Sequence, residues 1–219
     1  ALPDAEKRRY LINELSIGYV PPKSTKYITS IINENTKKDL NETLITALER
    51  PPDHPLIKAG TRFVGPNQWP EGLPGFREAI VSYQQDILRL GRKLLPIFSV
   101  ALELPPSYFD QYFTDPVMWS RNAHYPAEVP EKNQYGISPH SDHSFLTMLP
   151  TTEVPGLQIL SQNGNWIDAK YIDKGILVNT GEFLNRWTNG RFIPTPHRVM
   201  PPEKDRYSIA TFFNPSPET

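Results

Sequence analysis

The sequence contains no cysteine, which excludes disulfide frameworks, thiolate metal sites and cysteine nucleophiles. Any metal must be held by histidine and carboxylate. Long apolar runs are missing as well. The most apolar stretch, residues 94–102, is broken by Pro96 and Ser99 and falls far short of the roughly 20 residues that cross a bilayer. Nor is there an excess of either charge: 23 Lys+Arg face 24 Asp+Glu, so no net field draws the chain to nucleic acid or an anionic membrane. These absences predict a soluble, cytoplasmic protein, by default a monomer, whose partner is a small molecule rather than nucleic acid or membrane. Ala1 opens the sequence without a charged-then-apolar leader, in keeping with that expectation.

What is present is enough to bury one core. With 219 residues, 38% hydrophobic and 11% aromatic, residues 1–219 are expected to form a single globular domain. The 24 prolines cluster at Pro21-Pro22, Pro51-Pro52, Pro105-Pro106 and Pro201-Pro202, where they mark loops. Residues 30–41 are polar and lack aromatics, the composition of a mobile loop or lid. Residues 1–115 read as mainly helical support and pocket loops. A short helix is expected from Asp4 to about Leu15. A long one is expected over residues 75–102, with apolar Phe76, Ile80, Tyr83, Ile87, Leu90, Leu94, Ile97 and Ala101 at helical spacing and Pro96 kinking or splitting it. From about residue 116 to 214 the pattern changes to short β-type runs, with a hairpin signal at Asn163-Gly164-Asn165. The expected fold is therefore mainly β with flanking α: a jelly roll, or double-stranded β-helix, backed by helices.

Three groups of residues carry chemistry. His140 and Asp142 lie two apart, so on an extended segment both side chains leave one face and can reach one ion. Much later in the chain, His197 opens a predicted strand. Two imidazoles and one carboxylate on one side of an iron(II) ion leave adjacent positions open for a chelating cosubstrate and dioxygen. Arg206 and Ser208 again share one strand face; the guanidinium grips a carboxylate in bidentate fashion and the hydroxyl adds a donor. Arg206 and Ser208 also suit an exposed edge strand, and either histidine alone also suits a structural role.

Taken in order, these residues resemble the isopenicillin N synthase-like group of iron(II)/2-oxoglutarate-dependent oxygenases. The pattern GxxxHxDxxxLTxL reads as Gly136, His140, Asp142, Leu146, Thr147 and Leu149. Gly156-Leu157-Gln158-Ile159 with Trp166, Val178-Asn179-Thr180-Gly181-Glu182, His197-Arg198-Val199 and Arg206-Tyr207-Ser208 follow. Upstream, Asp39-Leu40-Asn41-Glu42, Asn67-Gln68-Trp69-Pro70 and Arg121 with His124-Tyr125-Pro126 are similar too. The resemblance implies Fe(2+) held by His140, Asp142 and His197, with 2-oxoglutarate and O2 as cosubstrates. Arg206, Ser208 and Tyr125 would hold the distal carboxylate, and Phe212, Phe145 and Gln158 would line the substrate pocket. It implies oxidation, by default hydroxylation, of a small organic molecule with release of succinate and CO2. His54, His124 and His143 match no ligand position and are read as structural. Ala123 stands where plant relatives often carry Asn, and Glu182 where Asp is more usual. The family's N-terminal segment of strands and a helix has no counterpart before Ala1. Asp142 argues against halogenation, which needs a small residue there. Two other readings stay open: a 2-oxoglutarate-independent oxidase or cyclase of the isopenicillin N synthase type, and a non-catalytic jelly-roll binding module.

Overall fold

The computed structural model describes residues 2–26 and 37–218. Most of the polar stretch expected to form a lid, residues 30–36, lies outside them. Among the described residues the helices are α1 (Asp4–Lys7), α2 (Pro55–Lys58), α3 (Phe76–Ala101) and α4 (Glu182–Trp187). The strands are β1 (Gly18–Val20), β2 (Glu42–Ala47), β3 (Val117–Tyr125), β4 (Ile137–His140), β5 (Leu146–Pro150), β6 (Leu157–Leu160), β7 (Trp166–Asp168), β8 (Ile176–Thr180), β9 (His197–Val199) and β10 (Arg206–Asn214). They form a six-stranded sheet, ordered β1-β2-β3-β10-β5-β8, and a four-stranded sheet, ordered β4-β9-β6-β7. The contacts cluster into two compact units interleaved in sequence rather than separated by a linker.

The first unit comprises Ala1–Tyr19, Ile45–Ser120 and Thr211–Thr219. Its centre is α3, which runs through Pro96 as one helix; proline there removes one hydrogen bond close to the helix end instead of dividing it. The face that α3 buries shares Ile80 and Ile87 with the predicted stripe but is turned toward Gln84, Gly91, Leu95 and Ser99. Ile80, Gln84, Ile87, Gly91, Leu95 and Ser99 are buried, whereas Ile97 is 61% exposed. Three polar or glycine positions are tolerated because each is matched. Gln84 Nε2 donates to Thr46 O and Oγ1, and Ser99 Oγ donates to Leu95 O. A Cβ on Gly91 would lie 3.2 Å from the Phe213 ring, which stacks on Phe113. The helix expected from Asp4 stops at Lys7 and tightens into a short 3-10 turn, because Leu11 turns away to bridge Tyr19. Strands β1 and β2 lie in a region whose pattern reads as helical.

The second unit comprises Val20–Leu44 and Arg121–Ala210. Its strands pair antiparallel: β5 with β8, β6 with β7 and β9, and β4 with β9. Turn chemistry explains the β6–β7 hairpin, where Gly164 takes a left-handed conformation (φ +80°) that side chains with a Cβ rarely adopt. Ala123, Tyr125, Ile137 and Val199 form a buried apolar cluster in this unit, with Leu157 packed against it. No described helix is long and apolar enough to cross a membrane.

Candidate metal centre and carboxylate site

Strand β4 ends at His140, β9 begins at His197, and the two residues face each other in the antiparallel register. Asp142 follows β4 by two residues, and Gly181 gives it room. A side chain on Gly181 would put its Cβ 2.1 Å from Ser144 O and 2.8 Å from Asp142 O, so only glycine lets the chain leaving β8 pass this close. The next residue then ties down the loop, Glu182 N donating to Asp142 O at 2.8 Å.

The three side chains converge. Asp142 Oδ1 lies 3.7 Å from His140 Nε2 and 3.6 Å from His197 Nε2, and the candidate ligand atoms all fall within 4.8 Å of one another. Both imidazoles are oriented in the same way. His140 Nδ1 donates to Ser138 O at 2.8 Å and His197 Nδ1 to Thr195 O at 3.0 Å. A carbonyl only accepts, so Nδ1 carries the proton in each ring and the Nε2 lone pair is left toward Asp142. Burial, then the neighbouring His197, pushes the His140 pKa down to about 3, which keeps it a neutral donor at physiological pH. Burial would raise the Asp142 pKa. The imidazoles of His197 and His140 and hydrogen bonds from Asn179 and Thr147 outweigh it and hold the carboxyl below its usual range. The site thus presents two imidazole nitrogens and a carboxylate with no thiolate, a donor set suited to a divalent first-row metal such as iron(II).

Asn179 and Thr147 carry no ligand signal in the sequence, yet they fix the carboxylate. They are direct cross-strand partners in the β5–β8 register, so their side chains share one face. Asn179 Nδ2 donates to Asp142 Oδ2 at 2.8 Å, and Thr147 Oγ1 lies 2.8 Å from Ser144 Oγ. The signal that finds them is the pairing of the LTxL and VNTG runs, visible only once register is known.

Arg206 opens β10 and is almost fully buried. Its Nε donates to Val154 O at 3.2 Å, and its guanidinium carbon lies 5.0 Å from the centre of the Tyr125 ring. Its Nη1 is buried without a hydrogen-bond partner. A buried guanidinium nitrogen left unpaired is costly, and an incoming carboxylate removes that cost. Tyr125 is also buried, which raises its pKa against the opposing influence of the nearby Arg206 charge; it therefore stays a protonated phenol. Ser208 is buried two residues beyond Arg206, on the same strand face.

The predicted pocket residues are placed differently. Gln158 pairs in register with Arg198 and Asp168, accepting from Arg198 Nε at 2.8 Å and donating to Asp168 Oδ1 at 3.0 Å. Its neighbour Ile159, not Gln158, pairs with His197. Gln158 is thus committed to the opposite face of the sheet. Phe145 is wholly buried, edge-on to Trp187, a packing position. Phe212, in the first unit, stacks on Trp119 at 4.0 Å; Trp119 in turn stacks on Phe63 at 4.1 Å. Of the other histidines, His54 caps α2 by accepting from Leu56 N. His124 lies between Glu42 and Asp205, and His143 is exposed beside Glu182.

Residues 116–215 match the family model described as the 2OG-Fe(II) oxygenase superfamily. A 2-oxoglutarate-Fe(II) type oxidoreductase of Emericella nidulans is 32% identical over 228 residues, covering 100% of this chain and 64% of its own length. Kihadalactone A synthase of Citrus sinensis is 33% identical over 227 residues, covering 99% of this chain and 66% of its own length. The chain thus spans about two thirds of the length of these curated relatives. Among solved structures, a full-length Neurospora crassa protein in complex with alpha-KG and thymine matches with a TM-score of 0.83 at 27% identity, covering 100% of this chain and 69% of that one. The shared architecture is the double-stranded β-helix.

Proposed function

The chain belongs to the 2OG-Fe(II) oxygenase superfamily, and we propose that it forms the iron- and 2-oxoglutarate-binding core of an enzyme that oxidises a small organic molecule. In this reading His140, Asp142 and His197 hold iron(II), and Arg206, Ser208 and Tyr125 hold the distal carboxylate of 2-oxoglutarate. Within the superfamily this reading places it in the isopenicillin N synthase-like group, whose motifs the runs around His140, His197 and Arg206 resemble. When bound, the iron supplies dioxygen activation: 2-oxoglutarate, O2 and a C–H bond give succinate, CO2 and a hydroxylated product.

The chain's own residues supply the rest. The Nδ1–H bonds of the two histidines aim both Nε2 atoms at one point before metal arrives, and Asn179 and Thr147 stop the carboxylate from turning away. Arg206 fixes one end of the cosubstrate through its charge, and the phenol of Tyr125 adds a neutral donor. The observation that carries the 2-oxoglutarate half is Arg206 Nη1, buried and unpartnered beside Tyr125. The alpha-KG bound in the Neurospora crassa neighbour favours 2-oxoglutarate over a substrate carboxylate as its occupant. Thymine in that complex supports a small organic molecule as the substrate class.

The test measures succinate formed per product in the presence of a turned-over substrate. One succinate per product is expected, and Arg206→Gln should raise the KM for 2-oxoglutarate about a hundredfold, as expected when hydrogen bonds to a charged group are lost. Product formed without succinate would replace this reading with a 2-oxoglutarate-independent oxidase.

A further inference from the structure

Strand β4 carries a metal ligand but is poorly suited to hold one still. It lies at the end of its sheet, with β9 as its only strand neighbour among the described residues. Its register with β9 slips between Ile137 and His140, and Pro139 has no N–H to offer. A short, irregular edge strand has few ladder hydrogen bonds to fix its position. Yet the orientation of His140 depends on it, because the carbonyl that receives the His140 Nδ1–H is that of Ser138.

The missing neighbour is supplied by residues 39–41, from the run Asp39-Leu40-Asn41-Glu42 to which neither metal nor cosubstrate binding gives a role. Leu40 N donates to Tyr135 O at 3.0 Å. Asn41 Nδ2 donates to Gly136 O at 2.5 Å, and its Oδ1 accepts from Arg121 Nη2 at 3.1 Å. Asp39 Oδ1 accepts twice from Ser138, from its N at 2.9 Å and from its Oγ at 2.5 Å. Asp39 is itself fixed by its backbone, its N donating to Thr25 O and its O accepting from Lys23 N. It is fully buried, and the carboxylate is retained there although burial pushes its pKa up to about 6. A fully buried oxygen that accepts twice from Ser138, two residues from a ligand, fixes the backbone on which that ligand is carried.

We propose that Asp39 is a positioning residue for the metal centre, holding His140 through Ser138, with Asn41 clamping the same strand at Gly136. The chain Asp39 → Ser138 → His140 Nδ1 fixes which way the His140 Nε2 lone pair points. This rests on the metal-binding role of His140, Asp142 and His197. Outer partners of metal-bound histidines typically contribute roughly 10–100-fold to affinity, and one acting through an intervening residue is expected near the lower end.

The test is Co(II) titration of the apoprotein, following the visible absorption of the bound ion, which needs no substrate. Asp39→Ala should weaken Co(II) binding about tenfold and alter the band shape. Ser138→Ala, which removes only the hydroxyl arm, should weaken it less, and Asp39→Asn, which keeps the acceptor oxygen, should restore most of the affinity. Gln84→Ala, which breaks a buried hydrogen bond to Thr46 in the other unit, serves as a control for lost stability and should leave the spectrum unchanged. Asp39→Ala with wild-type affinity and spectrum would overturn the proposal. If Asp39→Ala does not fold, Ser138→Ala carries the decision, and no change in either measure overturns it equally. Co(II) binding that survives His197→Ala in the wild-type background would instead remove the metal-centre reading on which the proposal stands.

Discussion

Two groups of histidines in this molecule show what makes an imidazole a ligand. At the metal centre, His140 and His197 each give one nitrogen to a backbone carbonyl two residues earlier and leave the other facing Asp142. At the cluster around His124, the ring stacks on Tyr207, and both nitrogens face carboxylates: Nδ1 lies 2.9 Å from Glu42 and Nε2 3.4 Å from Asp205. One arrangement presents lone pairs to a shared point; the other turns each ring nitrogen toward its own carboxylate. The same residue type, similarly sheltered, offers a nitrogen to a shared point in the first place and sits between two carboxyl groups in the second. The backbone carbonyl is what makes the difference, because it takes Nδ1 and so turns Nε2 toward the shared point.

The largest effect that separates these groups comes from deleting one histidine of each. His197→Ala should remove metal binding and turnover, a loss beyond the roughly 10–100-fold typical of an outer partner, while His124→Gln should keep Co(II) affinity within about twofold. Metal titration of both folded variants reads the contrast, and equal losses would erase it. A smaller effect is expected at Asn179. Asn179→Ala deprives Asp142 Oδ2 of its 2.8 Å donor but leaves Thr147, so Co(II) affinity should fall roughly tenfold. Because the lost hydrogen bond had favoured the ionised carboxyl, binding should also become more sensitive to acid, and a pH series of titrations would register it.

The remaining effect is on stability rather than on metal affinity, about 1.4 kcal/mol for each unit of pH, and concerns Asp39. Its carboxyl has a pKa pushed up to about 6 in the fold by burial, despite the Ser138 hydrogen bonds and the charge of Arg121, against roughly 4 in an unfolded chain. Between these values the folded protein retains a proton that the unfolded chain has released. Asp39 therefore contributes a stability term that is present below about pH 4 and is lost as pH rises through about 6, on the order of 2 kcal/mol across that window. Urea unfolding of the apoprotein at about pH 4, 5 and 6, wild type against Asp39→Asn, isolates it: the difference between the two should grow with pH in favour of Asn. A constant difference would show that Asp39 does not titrate in this window.

His140 and Asp142 were legible as candidate ligands because their spacing is local, whereas His197 joins them only through the β4–β9 pairing. A His and an Asp two apart on an extended segment must share a face, and an Arg and a Ser two apart on β10 must do the same. The outer supports were not legible. Asn179 and Thr147 reach Asp142 because β5 and β8 pair in one register, and Asp39 reaches Ser138 across a separation of 99 residues. Gln158 shows the cost of a single residue: its motif places it in the pocket, but Ile159 holds the position opposite His197, and alternation sends Gln158 to the other face. On α3 the periodicity finds the helix and Ile80 and Ile87 of its buried face but misses the rest, since Gln84 and Ser99 are buried with hydrogen bonds and Gly91 makes way for Phe213.

Sequence alone determined the residue types that can hold a metal and a carboxylate, the absence of any thiolate alternative, and a β-rich second half that can bring separate strands to one point. Those follow from composition and from periodicities that act over a few residues. Tertiary structure decided the rest: that His140 and His197 face each other, that the Nε2 of each ring turns toward Asp142, which donors restrain Asp142, and that residues 39–41 brace an edge strand too irregular to hold its ligand unaided. Most of these depend on how two distant segments are brought together, by strand register for His140 with His197 and for Asn179 with Thr147, and no single stretch of the chain encodes that.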